Sequence, residues 1–258
     1  MAQDRWTRMQ QLIALRLYMR MPFGRLHSKN PEIVELAEWI DRTPSAVAMK
    51  ACNFASLDPT FRETNRTGLT KVSKADEELW NEFKTYPERV ALEMEAAFAQ
   101  LDPTTAAAEE AAITPPIGEP PAGETETMRL VRTRRVQSFF RAAVLTSYES
   151  RCSLSGLAIP ELLVASHIIP WSQNVERRAD PTNGLCLNAL FDRAFDRGLI
   201  SFDDNLKVLI SSRLRDVTTT ANLRCSLDEI AGEELRLPER FQPDAAAMAF
   251  HRSTVFMG

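Results

Sequence analysis

The sequence predicts an α+β protein with an all-helical N-terminal domain and a small ββα unit in the C-terminal half. Three observations support this prediction. Apolar residues recur at helical spacing through residues 6–100. A stretch rich in Ala, Pro and Glu then interrupts the chain at 102–126. After it, two short apolar segments are followed by a short helical segment that ends at Gly198.

Length and composition are those of an ordinary globular protein. The chain has 258 residues, enough for one large or two modest domains, and 44% of them are hydrophobic. No apolar run is long enough to span a bilayer, and the N-terminus lacks a signal-peptide pattern, so we expect a cytoplasmic protein with no membrane partner. The four cysteines form no CxxC pair, which argues against a disulfide framework and a zinc ribbon.

Charge is distributed unevenly along the chain. The net charge is -4, but residues 102–126 contain six acids and no lysine or arginine. Basic residues cluster at 5–29 and at 129–151. Phosphate contacts are made by local patches, so the acidic total does not exclude a nucleic-acid partner. Two solvated helix faces are the commoner explanation of such clusters.

The N-terminal helices contain a helix-turn-helix-like pair. Residues 6–20 form one predicted helix, and residues 30–59 form two more around a tight turn, capped by Asn30 and Thr43. A further helix runs from about 74 to about 100 and is disturbed at Pro87.

The second helix of this pair is the predicted nucleic-acid contact, because such a helix carries the groove contacts of a helix-turn-helix unit. Its outward face is expected to include Ala48 and the contact residues Ser45, Met49, Lys50 and Asn53. The polar loop at 61–74 adds basic residues for backbone phosphates. A small helical bundle for protein contact remains the alternative, since this helix has one lysine.

Residues 102–126 are predicted to be a flexible acidic linker. The predicted domains are therefore a DNA-recognition domain over 1–101, this linker, and a second domain over 127–258. Competition of the acidic tether for the basic surfaces is an alternative to a plain spacer.

The second domain is expected to begin with an amphipathic helix over 132–149. LLVASHII then indicates a strand that ends near His167, GLCLNAL indicates a second strand, and FDRAFDRG indicates a helix. Two further strand signals, LISFDD and LKVLIS, surround a turn. The order strand, loop, strand, helix is a ββα unit.

Residues 166–198 hold the side chains best suited to chemistry. His167 is followed after 16 positions by Asn183, after 25 by Asp192 and after 29 by Asp196. On a helix, the two aspartates project from one face. A histidine, an amide and paired acids are the parts of a metal-assisted phosphodiesterase. Each residue alone also has a structural explanation: a core histidine, a turn asparagine, or an acid paired with arginine.

Four segments together resemble the HNH nucleases, in particular bacterial HNH domains described as predicted restriction endonucleases. The resemblance covers residues 130–256, and the segments are QSFFRAAVLTSYESRCSLSGL, LLVASHIIPWS, RADPTNGLCLNALFDRAFDRGLISF and AFHRSTVF. It implies a ββα-metal fold and a metal-dependent DNA endonuclease.

The resemblance also implies roles for single residues. His167 matches the general base, and Asn183 matches the residue that pins the loop and orients that histidine. Asp192 matches a ligand of the single divalent metal, and Asp196 falls where some members place another ligand. Ser166 occupies a position that often holds an acid or a histidine ligand, and is therefore a weak third candidate.

Cofactor and partners follow from the same comparison. Aspartate ligands favour Mg²⁺ or Mn²⁺. No structural zinc is expected, because Cys152 and Ser155 stand where some relatives have a cysteine pair. The partner would be double-stranded DNA, and cutting both strands would need a homodimer or two successive binding events. The candidates for backbone contacts are Arg177, Arg178, Arg193 and Arg197.

The implied role is restriction or defence, with a requirement for modified bases left open. Two other functions remain open: a DNA-binding regulator with a decayed nuclease domain, and a toxin-like non-specific nuclease whose N-terminal domain binds a protein. His27 and His251 are assigned structural roles, because neither lies in a comparable constellation.

Overall fold

A computed structural model describes residues 5–60, 72–112, 124–216 and 229–258. The chain divides into two compact units, residues 1–146 and residues 147–258. The division falls after the stretch predicted to be a linker. Most of the predicted phosphate-contacting loop, residues 61–71, and residues 113–123 of the predicted linker lie outside the described residues. None of the described helices combines the length and the apolar character needed to cross a membrane.

The first unit is helical throughout its described part. Its helices are α1 (Arg8–Arg20), α2 (Pro31–Trp39), α3 (Pro44–Ala55), α4 (Lys74–Thr85), α5 (Pro87–Leu101), α6 (Pro103–Ala111) and α7 (Glu124–Ser147), the last ending at the first residue of the second unit. Asn30 and Thr43 cap α2 and α3 as predicted, each accepting a hydrogen bond from a backbone N–H of the first turn. The predicted disturbance at Pro87 is a break between α4 and α5.

Helix α6 occupies the beginning of the predicted linker. Asp102 caps it by accepting a hydrogen bond from the N–H of Thr105. Two carboxylates hold it to the rest of the unit: Glu109 pairs with Arg16 and Arg20 of α1, and Glu110 pairs with Arg135 of α7. The low-complexity sequence of α6 gives no indication of these ion pairs, because they form only when α1 and α7 are packed nearby.

The expected outward face of α3 is wrong for two of its residues. Ser45 and Met49 are exposed, but Ala48 and Lys50 are buried. The ammonium group of Lys50 lies 2.8 Å from a carboxylate oxygen of Asp76, which is fully buried at the start of α4. Because a charged group is buried only with a partner, this pair directs Lys50 inward.

The second unit contains the small sheets. Its elements are β1 (Leu163–His167), β2 (Gly184–Asn188), α8 (Ala189–Asp196), β3 (Ile200–Phe202), β4 (Val208–Ile210), α9 (Ser212–Asp216) and α10 (Ala245–Phe250). Strands β1 and β2 pair antiparallel, with His167 opposite Gly184, and β3 pairs antiparallel with β4. The described order β1, loop, β2, α8 is a ββα unit. It places His167 at the end of a strand, and Asp192 and Asp196 on the helix.

Candidate active site

His167 is the last residue of β1, and one of its ring nitrogens is fixed by the backbone. Its Nε2 lies 3.0 Å from the carbonyl oxygen of Arg178. A carbonyl oxygen can only accept, so Nε2 carries the hydrogen, and in the neutral ring the lone pair is on Nδ1. Trp171 meets the imidazole edge-on, with ring centroids 5.5 Å apart.

The imidazole is held in its neutral form. Burial lowers the pKa of His167 to about 4, and the nearby charge of Arg178 acts in the same direction, while the hydrogen bond to the Arg178 carbonyl partly opposes both. At neutral pH the ring is therefore unprotonated on Nδ1. That is the state a general base requires.

Asn183 closes the loop that separates β1 from β2. It is 1% exposed and lies directly before β2. Its Oδ1 accepts a hydrogen bond from the N–H of Ile169 at 2.8 Å, and its Nδ2 donates to the carbonyls of Ile169 at 3.2 Å and Arg177 at 3.3 Å. One amide therefore joins both ends of the loop, next to the Arg178 carbonyl that holds His167.

The two arginines of this loop are engaged within the unit. The Arg177 guanidinium pairs with Asp180 at 2.9 Å and with Asp244 at 3.1 Å. Arg178 donates to the carbonyl of Trp171 at 2.9 Å and lies over its ring. Both side chains hold the loop in place. Arg193 and Arg197, also predicted to contact DNA, are exposed on or just after α8.

Asp192 and Asp196 lie one turn apart on α8. Burial raises the pKa of Asp192 to about 6, and the negative charge of Asp196 raises it further, whereas the Ser166 hydroxyl and Arg193 lower it. The pKa of Asp196 is also raised, first by desolvation, against the opposing charges of Arg193 and Arg197. Asp196 is exposed, so its carboxyl is desolvated less than that of Asp192. Desolvation is thus the largest cause of both raised pKa values, and the charges of Arg193 and Arg197 offset it only in part.

Ser166 lies beside Asp192 and is 2% exposed. Its hydroxyl is near enough to Asp192 to lower the pKa of that carboxyl, but its oxygen has no hydrogen bond of regular geometry within the described residues. A buried hydroxyl oxygen beside two mutually repelling carboxylates fits a hard divalent cation, which prefers oxygen ligands. No group of three or more His, Cys, Asp or Glu side chains suited to a metal occurs in the described part of the chain. Water or phosphate oxygens would therefore complete the coordination.

The N-terminal end of α8 is tied to a loop that carries Cys152. Asn188 caps the helix by accepting from the N–H of Phe191, and its own N–H donates to the Cys152 sulfur at 3.2 Å. The N–H of Ser155 donates to the same sulfur at 3.4 Å. The sequence gives no indication of this role for Cys152. Its contact lies 36 residues away along the chain, where no local pattern indicates it.

Comparison with known proteins agrees with this geometry. Residues 152–203 match a family model described as HNH endonuclease, and these residues contain β1, β2, α8 and His167. A search of curated proteins gives no match. The C-terminal half therefore contains an HNH endonuclease domain, and this domain supports a nuclease activity. Nucleases of this class generally use a divalent metal and act on nucleic acids.

Proposed function

We propose that this protein is a metal-dependent DNA endonuclease and that His167 is its general base. The observation that carries the proposal is the hydrogen bond from His167 Nε2 to the Arg178 carbonyl at 3.0 Å, inside the segment that matches the nuclease family. This bond fixes the tautomer, and in the proposed reaction Nδ1 takes the proton from the attacking water. Because the pKa of the ring is low, Nδ1 is unprotonated at neutral pH.

Three oxygen-bearing side chains are the proposed metal ligands: Asp192 first, with Asp196 and Ser166 as further donors. Mg²⁺ or Mn²⁺ fits these donors best, and would stabilise the charge that develops on the phosphate. Two further roles follow from the contacts described above. Asn183 positions His167 through the loop, and the exposed Arg193 and Arg197 bind backbone phosphates.

The N-terminal unit is proposed to recognise the DNA. Beside α3 lies a groove of about 960 Å³. Its lining includes four cationic side chains, Arg5, Arg42, Lys50 and Lys74, and two acidic ones, Asp41 and Glu78. Met49 and Asn53 line it too. Lys50 reaches this groove as part of its buried pair with Asp76, so we assign direct contacts to the exposed Ser45 and Met49 and give Lys50 and Asn53 a role in shaping the wall. Use of α2 and α3 as a helix-turn-helix pair is part of this proposal.

The biological role proposed is restriction of foreign double-stranded DNA within the cytoplasm, with two copies of the chain needed to cut both strands. The decisive experiment is incubation of supercoiled plasmids, unmodified or carrying methylated or hydroxymethylated cytosine, with Mg²⁺ or Mn²⁺. We expect nicked or linear products that are absent with EDTA and with His167→Ala. His27→Ala is the matched control, because His27 is exposed and lies in the other unit. Cleavage that survives His167→Ala would contradict the assigned base.

Absence of cleavage on every substrate, together with tight DNA binding, would instead favour the DNA-binding regulator. The toxin-like alternative is tested by charge reversal in the groove, with Arg5→Glu and Lys74→Glu together. We expect this double variant to bind DNA more weakly, with a smaller dependence of affinity on salt. Lys29→Glu, an exposed lysine outside the lining of that groove, is the control. Unchanged affinity and selectivity in the double variant would contradict DNA recognition by this groove.

A further inference from the structure

His251 is the most buried of the three histidines and lies outside the segment that matches the nuclease family. It begins the π-helical turn His251–Val255 that follows α10, and it is 2% exposed. A buried imidazole needs hydrogen-bond partners for both nitrogens. The two partners it has connect it to α8 and to β3.

The contacts define a single neutral tautomer. The Nε2 atom lies 3.1 Å from the carbonyl oxygen of Phe195, which can only accept, so Nε2 carries the hydrogen. The Nδ1 atom then accepts from the hydroxyl of Ser201, whose Oγ lies 2.9 Å away. The imidazole also stacks on the Phe195 ring, with centroids 3.6 Å apart and the planes at 4°. One side chain therefore fixes both the backbone and the ring of Phe195.

Phe195 lies between the two carboxylates proposed to bind metal, three residues after Asp192 and directly before Asp196. It belongs to the last turn of an eight-residue helix. Short helices are marginal by themselves, and the carbonyls of the last turn have no partner within the helix. Here the carbonyls of Phe195 and Ala194 accept from the N–H groups of Gly198 and Leu199, and the Phe195 carbonyl also accepts from His251. Contacts from beyond the helix therefore contribute to where this turn, and with it Asp196, is held.

A second, independent observation places the His251 turn directly against the end of α8. Gly198 has a φ of +65°, and a Cβ atom there would lie 2.0 Å from the carbonyl oxygen of Val255. The N–H of Met257 donates to the carbonyl of Gly198 at 2.9 Å. The chain after His251 is thus packed on the residue that ends the helix, with no room for a side chain.

We infer that His251 is a positioning residue of the nuclease site, which sets the end of α8 and so the spacing between Asp192 and Asp196. The inference rests on the proposed function, because the consequence claimed is for metal binding. If the ring only filled space, a phenylalanine ring in its place would leave the end of α8 and metal binding unchanged. A positioning role and a space-filling role therefore predict different effects for a substitution that keeps the Nε2 donor.

The test compares His251→Phe, which keeps a flat ring but has no donor, with His251→Gln, whose amide replaces Nε2–H as a donor. Mn²⁺ binding to the full chain is measured by electron paramagnetic resonance, in the absence of DNA. Hydrogen exchange is followed at the amides of Gly198 and Leu199, which donate to the carbonyls of Phe195 and Ala194. The amides of the β1–β2 pair serve as internal controls.

We expect His251→Phe to weaken Mn²⁺ binding by about 10-fold or more, as is typical when a residue that orients metal ligands is lost. It should also speed exchange at Gly198 and Leu199, and His251→Gln should recover most of both effects. Wild-type Mn²⁺ affinity in His251→Phe, or failure of His251→Gln to recover it, would overturn the inference.

Ser201→Ala is the second variant, in case His251→Phe fails to fold. It keeps the ring and removes only the hydroxyl that fixes the tautomer, so we expect smaller changes in the same directions. Unchanged exchange and Mn²⁺ affinity in Ser201→Ala would then count against the inference. If the wild type bound no Mn²⁺, the proposed metal dependence would be contradicted, and the exchange data would still decide whether His251 holds the end of α8.

Discussion

The side-chain amide of Asn183 lies 3.3 Å from the carbonyl oxygen of Arg177, so it holds the peptide directly before the carbonyl that binds His167. The proposed general base, His167, is thus placed by two neighbouring carbonyls, one held by Asn183 and the other accepting from the imidazole. We expect that displacement of either carbonyl, that of Arg177 or that of Arg178, would rotate the His167 imidazole.

The first prediction concerns this chain. Asn183→Ala should lower the cleavage rate about 100-fold, because a shift near 1 Å at a reacting group costs roughly that much. Asn183→Asp should also be slow, since a carboxylate can accept from the Ile169 N–H but cannot donate to the Arg177 carbonyl. Rates are measured by single-turnover plasmid nicking, with the exposed Asn205→Ala as control. Full activity in Asn183→Asp would show that the donated bonds are unimportant.

The second prediction concerns the proton on Asp192 in the metal-free protein. The pKa of this carboxyl should lie near 6, well above the ordinary value of 3.8, because it is desolvated and faces Asp196. Asp196→Asn removes a negative charge and should lower this pKa. Arg193→Gln removes a positive charge and should raise it. The carboxyl carbon shift of Asp192, followed by nuclear magnetic resonance against pH, measures both. Shifts in the same direction would mean that charge is not the cause.

Sequence patterns were sufficient for the elements whose signals are local. The caps at Asn30 and Thr43, the strand that ends at His167 and the helix that carries both aspartates were each predicted and are confirmed. Each depends on residues within a few positions of one another. That is why a single sequence is sufficient to predict them.

The missed contacts all join distant parts of the chain. A single lysine on a helix is expected to face solvent, and only the packing of α4 against α3 gives Lys50 its buried partner Asp76. Cys152 reaches Asn188, and His251 reaches Phe195 across 56 residues. In each case a polar atom is satisfied by a group that becomes its neighbour only after folding, so composition and spacing carry no trace of the pair.

The third prediction tests Cys152 as a hydrogen-bond acceptor. Cys152→Ala leaves the N–H groups of Ser155 and Asn188 without their partner, and should lower the free energy of unfolding by about 1–3 kcal/mol. Cys152→Ser keeps an acceptor and should lose less. Chemical denaturation measures both, with Cys52→Ala, a partly buried thiol of the other unit, as control. Equal losses of unfolding free energy in Cys152→Ala and Cys152→Ser would mean that the change in side-chain volume, and not the loss of hydrogen bonds, causes the destabilisation.

The fourth prediction is a pH dependence of stability. Burial lowers the pKa of His251 to about 4 in the folded protein, from an ordinary 6.5. The unfolded chain therefore binds the proton more readily, so the stability is complete above pH 6.5 and is lost as the pH falls from 6.5 towards 4. The loss from this residue approaches about 3 kcal/mol.

His251→Phe cannot take up this proton, so its deficit against the wild type should shrink between pH 7.5 and 4.5. His167 also has a low pKa, but it titrates equally in both proteins and cancels in the difference. Denaturation curves at several pH values give the two free energies. A deficit that stayed constant with pH would contradict the prediction.

The fifth prediction concerns the charged cluster that holds α6. Arg16 and Glu95 are nearly fully buried, and Arg20 and Glu109 complete a balanced set of two arginines and two carboxylates. Burial lowers the pKa of Arg16, and the carboxylates of Glu95 and Glu109 oppose this effect by balancing its charge. Glu109→Gln leaves the two arginines with Glu95 alone. Since Glu109 is itself partly exposed, we expect a loss of about 1–3 kcal/mol, below that of a fully buried pair.

Glu32→Gln is the control for this cluster, because the Arg25–Glu32 pair is mostly exposed and should contribute about 0–1 kcal/mol. Salt separates the two cases further. A partly buried cluster is screened less than a surface pair, so the effect of Glu109→Gln should persist at about 0.5 M salt, where the effect of Glu32→Gln disappears. Thermal and chemical unfolding of the full chain measure both. If Glu109→Gln and Glu32→Gln lowered the free energy of unfolding equally little, α6 would have to be held by apolar contacts. Ala106 is the buried residue of that helix.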